Sequence, residues 1–142
     1  MAKVQIRIPD KIIYSRKMEV RSGDISGALH LGNHILVSYL NDTLYLFLRE
    51  NGFPEPYIDG ATFINSDLAV VYKSESFLGN QLRIDLSVGR LGKYGCDLFF
   101  KITNETTGKK AAVAKMGMLF FDYGHKRPTA MPEKFKTFLK PK

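Results

Sequence analysis

Cysteine is almost missing from this chain: Cys96 stands alone among 142 residues. No intrachain disulfide can form, and the paired-cysteine patterns of zinc sites are absent, which suits a reducing compartment and makes a cytoplasmic location the expectation. Long apolar runs are scarce too. The longest, Ile35 to Leu48, is broken by Ser38, Asn41, Asp42 and Thr43 and falls short of the ~18 consecutive apolar residues that a membrane span requires. The opening stretch, MAKVQIRIPDKIIYSRK, scatters charge where a signal peptide would carry an apolar core, so neither secretion nor a membrane partner is expected. Internal repeats and low-complexity stretches are absent as well.

What is present is enough for one core. At 142 residues and 44% hydrophobic composition, the sequence predicts a single domain over 1–142 that needs no staples. Net charge is +7, from 21 Lys and Arg against 14 Asp and Glu, an excess that attracts anionic partners such as nucleic acid or a phosphorylated cofactor. Most cations are spread singly, as in Lys73, Arg83, Arg90, Lys93 and Lys101, and only the tail Lys134 to Lys142 is locally rich. No aromatic-flanked basic stripe or nucleic-acid motif accompanies them, so nucleic acid is not the expected partner.

Lys11 to Arg21 roughly alternates around Ile13, Met18 and Val20 and predicts a strand, followed by a loop over Ser22 to Gly32. From Asn33 to about Glu50, the residues Ile35, Leu36, Tyr39, Leu40, Leu44, Phe47 and Leu48 keep helical spacing. Val37, Tyr45 and Leu46 fill other faces, which predicts a helix covered nearly all round. Asn51-Gly52 and the prolines after Phe53 end it. Four strands follow, at Thr62 to Ser74, Gln81 to Arg90, Gly95 to Asn104 and Ala111 to Asp122. In the second of them Leu82, Ile84, Leu86 and Val88 alternate with Arg83, Asp85, Ser87 and Gly89, predicting one buried and one wet face. A turn from Pro128 and a short helix from Pro132 complete the chain. The predicted class is α+β, an antiparallel sheet of about five strands curled around one long central helix. Its open edges predict pairing with further copies of the chain.

The most informative segment is Asp24 to Leu48, DISGALHLGNHILVSYLNDTLYLFL. A carboxylate, two glycines, two histidines and an asparagine stand directly ahead of the long helix. A helix N-terminus exposes unpaired N–H groups and a positive dipole end, and can hold developing negative charge beside an acid or base. Asp24 after Gly23 is also ordinary turn chemistry, His30 is divided between a site residue and a loop histidine bonded to backbone, and Asn33 suits an N-cap. His34 faces the sheet or solvent, His125 belongs to the turn after Asp122, and Cys96 reads as a small buried hydrophobe. His30 and His34 have the spacing that would share a face were the helix to reach them both, but no Glu lies between them in a metalloprotease pattern and no third ligand is evident, so metal binding is not expected.

On these residues the chain resembles the hotdog-fold acyl-CoA thioesterases, in the branch similar to 4-hydroxybenzoyl-CoA thioesterase. The family's Asp, glycine-containing loop, polar residue, Asn and central helix have counterparts in Asp24, Gly27, His30, Asn33 and Ile35 to Leu48. Val71 to Asn80 resembles the family's second strand and turn, and Ala114 to Asp122 its final strand. Some relatives carry a Glu in mid-helix, where this chain has the shorter Asp42. The resemblance implies homodimers or homotetramers with acyl-CoA sites between subunits, CoA being part of the substrate and no further cofactor being required.

Hydrolysis of a thioester needs an activated water or a carboxylate nucleophile, and donors aimed at the oxyanion. Asp24 is the candidate for the first; an ordinary Asp titrates near ~3.9 and becomes a better base when burial raises that value. Backbone N–H groups from Gly27 to Gly32 are candidate oxyanion donors, with His30 and Asn33 orienting carbonyl or water. Tyr72, Lys73, Ser74 and Glu75 are candidate substrate contacts, and Lys73, Arg90 and Lys93 candidate partners for the CoA phosphates. Two other readings stand beside hydrolysis. One is a hotdog enoyl-CoA hydratase or dehydratase, in which Asp24 and His30 act together; the other is an acyl-CoA-binding protein without turnover.

Overall fold

The structure, a computed structural model, describes residues 4–27, 29–55 and 57–140. Ala28 of the expected donor loop, Pro56 of the helix-stop segment and the last two residues of the cation-rich tail therefore lie outside the described residues. In chain order the elements are β1 (Tyr14–Glu19), α1 (Asn33–Glu50), β2 (Tyr57–Ile58), β3 (Ala61–Tyr72), β4 (Gln81–Leu91), β5 (Gly95–Asn104), β6 (Lys109–Asp122), β7 (Arg127–Pro128) and α2 (Glu133–Leu139). A single 3-10 turn, Ser22–Asp24, follows β1.

All strand pairs are antiparallel and join in the order β1-β4-β5-β6-β3-β2, with β7 paired to β6. The result is an α+β fold on a curled antiparallel sheet that has seven strands among the described residues rather than about five. The two extra strands, β2 and β7, have two residues each and carry no alternation that a sequence pattern could register.

The core lies on one face of that sheet. Leu82, Ile84 and Leu86 of β4, Leu98, Phe100 and Ile102 of β5, and Ala112, Ala114, Met116, Met118 and Phe120 of β6 are all buried. From α1 come Leu36, Tyr39, Leu40, Leu44, Phe47 and Leu48. The helix has one buried stripe, not a wrap on all sides: Asn33, His34, Ser38, Asp42, Tyr45 and Arg49 are exposed, because the spacing of the apolar residues gives one face and Tyr45 stands apart from it. β4 departs from expectation in the opposite direction. Asp85 and Ser87, expected on a wet face, are buried because β1 pairs along this edge and residues 6–12 bound a cavity over it.

The end of α1 shows why Asn51-Gly52 stops it. Gly52 takes φ of +90°, the Asn51 side chain donates to the Phe47 carbonyl at 2.7 Å, and the Phe53 N–H returns to the Leu48 carbonyl at 2.8 Å. Phe53 is thereby folded onto α2, with ring centroids 5.3 Å from Phe135 and 4.9 Å from Phe138. This cluster clamps the C-terminal half of α1 and leaves its N-terminus open.

Candidate active site at the start of the long helix

The loop before α1 is a miniature hairpin. Ile25 bridges Leu31, the Ser26 N–H donates to the His30 carbonyl at 2.8 Å, and the Leu29 N–H to the Ser26 carbonyl at 2.9 Å. Leu29 holds φ of +64°, a left-handed conformation that costs a branched residue roughly 1 kcal/mol or more and persists where surroundings fix it. His30 bridges Phe77, and the Leu31 N–H reaches the Ser76 carbonyl at 2.7 Å, so the hairpin is tied to the segment after β3. The Gly32 N–H donates to the Asp24 carbonyl at 3.0 Å, which fixes Asp24 beside the start of the helix.

Gly32, not Asn33, is the N-cap, and among the described residues no side chain caps the helix. The first-turn N–H groups are therefore free of a side-chain acceptor. A cavity of about 320 Å³ opens beside them, lined by His30, Gly32, Asn33, Tyr72, Lys73 and Glu75, with Ser74, Ser76 and the apolar Leu31, Leu36 and Ala111 completing the wall. Six of the ten sequence-derived candidates thus share one cavity: His30, Asn33, Tyr72, Lys73, Ser74 and Glu75. Within it Tyr72 Oη donates to the Asn33 carbonyl at 3.3 Å, and burial pushes its hydroxyl above the ordinary tyrosine range. Ser74 Oγ is committed to the Lys110 carbonyl at 2.8 Å. His30 Nδ1 lies 3.0 Å from the Leu31 carbonyl; a carbonyl only accepts, so Nδ1 is the donor in this contact, and Nε2 makes no hydrogen bond among the described residues.

Asp24 is half-buried and is not part of that cavity's wall. Its Oδ2 accepts from Tyr39 Oη at 2.6 Å and from the Arg21 N–H at 3.0 Å, while Oδ1 has no hydrogen bond among the described residues. Burial, and then the hydrogen bond to Asp24, hold the Tyr39 hydroxyl far above the usual tyrosine range. Sequence reasoning missed Tyr39, because a buried tyrosine on the apolar stripe of a helix looks like core. Its hydroxyl needed a partner, and that requirement was the one available signal.

The remaining candidates sit elsewhere. Gly27 is exposed and outside the cavity wall. Arg90 and Lys93 lie at the β4–β5 turn, where Gly95 pairs with Leu119, eight residues along β6 from Ala111 and so about 26 Å from the cavity at ~3.3 Å per residue. Asp42 lies nine residues beyond Asn33, about 13 Å up the helix at ~1.5 Å per residue, and lines a separate groove of about 580 Å³ with Arg16, Tyr45, Arg49 and Phe63.

The chain matches the thioesterase-like superfamily over residues 20–139. It belongs to that family. No curated protein matches it in sequence. Among solved structures, a 1,4-dihydroxy-2-naphthoyl-CoA thioesterase from Synechocystis is similar at a TM-score of 0.81 and 10% identity, over 89% of this chain and 94% of that one. A Staphylococcus aureus protein solved in complex with CoA is similar at a TM-score of 0.81 and 19% identity, over 97% of this chain and 91% of that one. At such identities the likeness is one of fold. Family and fold agree with the resemblance that Asp24, His30 and Asn33 suggested in this thioesterase-like chain.

Proposed function

We propose that this thioesterase-like protein hydrolyses an acyl-CoA thioester to the free acid and CoA at the N-terminus of α1. The observation that carries the reading is the uncapped first turn of α1 opening into a cavity that also holds His30, with Asp24 fixed next to Gly32. The thioester carbonyl lies against the first-turn N–H groups, which are worth most once charge develops on its oxygen. Asp24, through Oδ1, serves as general base toward a water or attacks the carbonyl itself. His30 Nε2 and the Asn33 side chain orient water or carbonyl. The tetrahedral oxyanion then collapses and expels the CoA thiolate, a good leaving group that requires no strong acid; attack by water gives the free acid at once, whereas attack by Asp24 gives a mixed anhydride that a water hydrolyses to the free acid and the regenerated carboxylate. Gly27 contributes through the conformation of the donor loop.

Dimers or tetramers are part of this reading. β2 covers only Ala61 and Thr62, so residues 63–72 of β3 have no strand on the side away from β6 among the described residues. A second copy pairing there would close the edge and bring new walls to the site. A gel-filtration or scattering mass equal to one chain at micromolar concentration would count against it.

The experiment is a thiol-release screen over short, long and aromatic acyl-CoAs. Turnover of at least one of them is expected. Saturable acyl-CoA binding without thiol release from any would refute hydrolysis in favour of a binding role, and loss of enoyl conjugation without thiol release would indicate a hydratase.

A further inference from the structure

A second cavity, of about 460 Å³, lies on the outer face of the sheet beneath residues 6–12. Four cations line it: Arg7, Lys73, Lys101 and Lys110. Among the described residues none of the four forms an ion pair within 4.0 Å, whereas Lys17, Arg83, Lys115 and Lys134 all do. The contrast is sharpest at Lys101. It stands directly across the strand pair from Asp85, yet Asp85 is already engaged by Ser15 Oγ at 2.6 Å and Arg83 Nε at 3.3 Å. Two carboxylates, Asp10 and Asp85, share the lining, and neither pairs with any of the four among the described residues, so four cations against two acids leave a net positive cavity that suits an external anion. The covering segment adds the apolar Ile6, Ile8, Pro9 and Ile12 beside Arg7 and Asp10. One cavity therefore offers a surface for a flat ring and a set of donors for phosphate.

Its position relative to the α1 cavity gives it meaning. Lys73 lines both, with Tyr72 before it and Ser74 after it in the wall of the α1 cavity. The end of β3 and the start of β6 border both, since Ala111 lines the α1 cavity and Lys110 and Val113 the outer one, and a flexible arm running past Lys73 would connect the two.

We propose that this outer cavity holds the phosphorylated adenosine end of the acyl-CoA, its 3′-phosphate and pyrophosphate on Arg7, Lys73, Lys101 and Lys110, while the pantetheine arm passes Lys73 toward the first turn of α1. The proposal rests on the acyl-CoA reading above. It replaces Arg90 and Lys93 as phosphate partners, because register puts them at the far end of the sheet.

The test pairs Lys101→Glu/Lys110→Glu with a control of equal charge change at the far end, Arg90→Glu/Lys93→Glu. Calorimetric titration with 3′,5′-ADP is expected to show binding that weakens with salt and is lost by about tenfold or more in the first pair only. A second, milder pair, Lys101→Met/Lys110→Met, keeps the side-chain length and is expected to weaken binding in the same direction. In thiol release, the preference for an acyl-CoA over the matching acyl-pantetheine is expected to fall about tenfold in Lys101→Glu/Lys110→Glu, since only the former substrate carries the nucleotide. No binding of 3′,5′-ADP by the unmodified protein, equal weakening by both charge-reversal pairs, or an unchanged preference would overturn the proposal. Absence of hydrolysis with both thioesters would count against the function proposed above, and the titration would still decide the site.

Discussion

Replacing Tyr39 by Phe removes one oxygen and leaves the packing in place, because the ring is 5% exposed and Phe fills the same space. What disappears is the 2.6 Å hydrogen bond to Asp24 Oδ2, leaving that oxygen with the Arg21 N–H alone. Hydrogen bonds to charged groups contribute ~1.5–3 kcal/mol; since Asp24 is half-buried and partly screened, the lower end applies, about 1.5 kcal/mol. Asp24→Asn keeps an acceptor for Tyr39 but removes the charge. Urea unfolding at pH 7 of the two single variants and the double variant closes a double-mutant cycle, for which a coupling of about 1 kcal/mol is expected. Strict additivity, within about 0.3 kcal/mol, would show that Tyr39 and Asp24 do not act on each other and would remove the reason for treating Tyr39 as the group that positions the carboxylate.

The same hydroxyl governs alkaline behaviour. Below pH ~10 Tyr39 is protonated whether folded or not, and above it the unfolded chain ionises first, so stability should fall by up to about 1.4 kcal/mol per pH unit from this residue. Tyr14, whose hydroxyl burial and then Glu50 push up to about 12, adds a similar fall between pH ~10 and 12, so Tyr39→Phe should flatten that limb only in part in pH-dependent urea melts. Gly95→Ala drives a Cβ into the Met118 carbonyl oxygen, a backbone atom that cannot give way, and should cost more than about 3 kcal/mol in thermal unfolding, whereas a loss under about 1 kcal/mol would contradict that close approach. Cys96, its thiol pushed up to about 12 by burial and then by Asp97, should resist thiol reagents at pH 8 until urea unfolds the chain; rapid labelling of the native protein would show it is not buried.

Much of the fold was legible because it rests on local periodicity. α1 begins at Asn33 and ends at Glu50, as the spacing of its apolar residues and Asn51-Gly52 require, and β5 spans Gly95–Asn104 as its flanking turns require. The errors of burial share one cause, since burial of a side chain by distant segments leaves no local trace. Asp85 and Ser87 look wet in sequence and are covered, and Tyr45 looks covered and is 55% exposed. Within the site, residues joined by short stretches of chain were found together: His30 with Asn33, and Tyr72 to Glu75 as one block. The tie from Asp24 to Tyr39 and the grouping of Lys73 with Lys101 and Lys110 depend on strand register and loop closure, which charge and spacing alone do not encode.

The central claim is tested most directly by steady-state thiol release from the best acyl-CoA substrate, comparing the unmodified protein with Asp24→Asn at equal far-UV circular dichroism. Loss of a general base or nucleophile predicts a fall in kcat of about 10²-fold or more. Turnover retained within a few fold would contradict the assignment of Asp24 and pass its role to His30 or Glu75, which both line the α1 cavity.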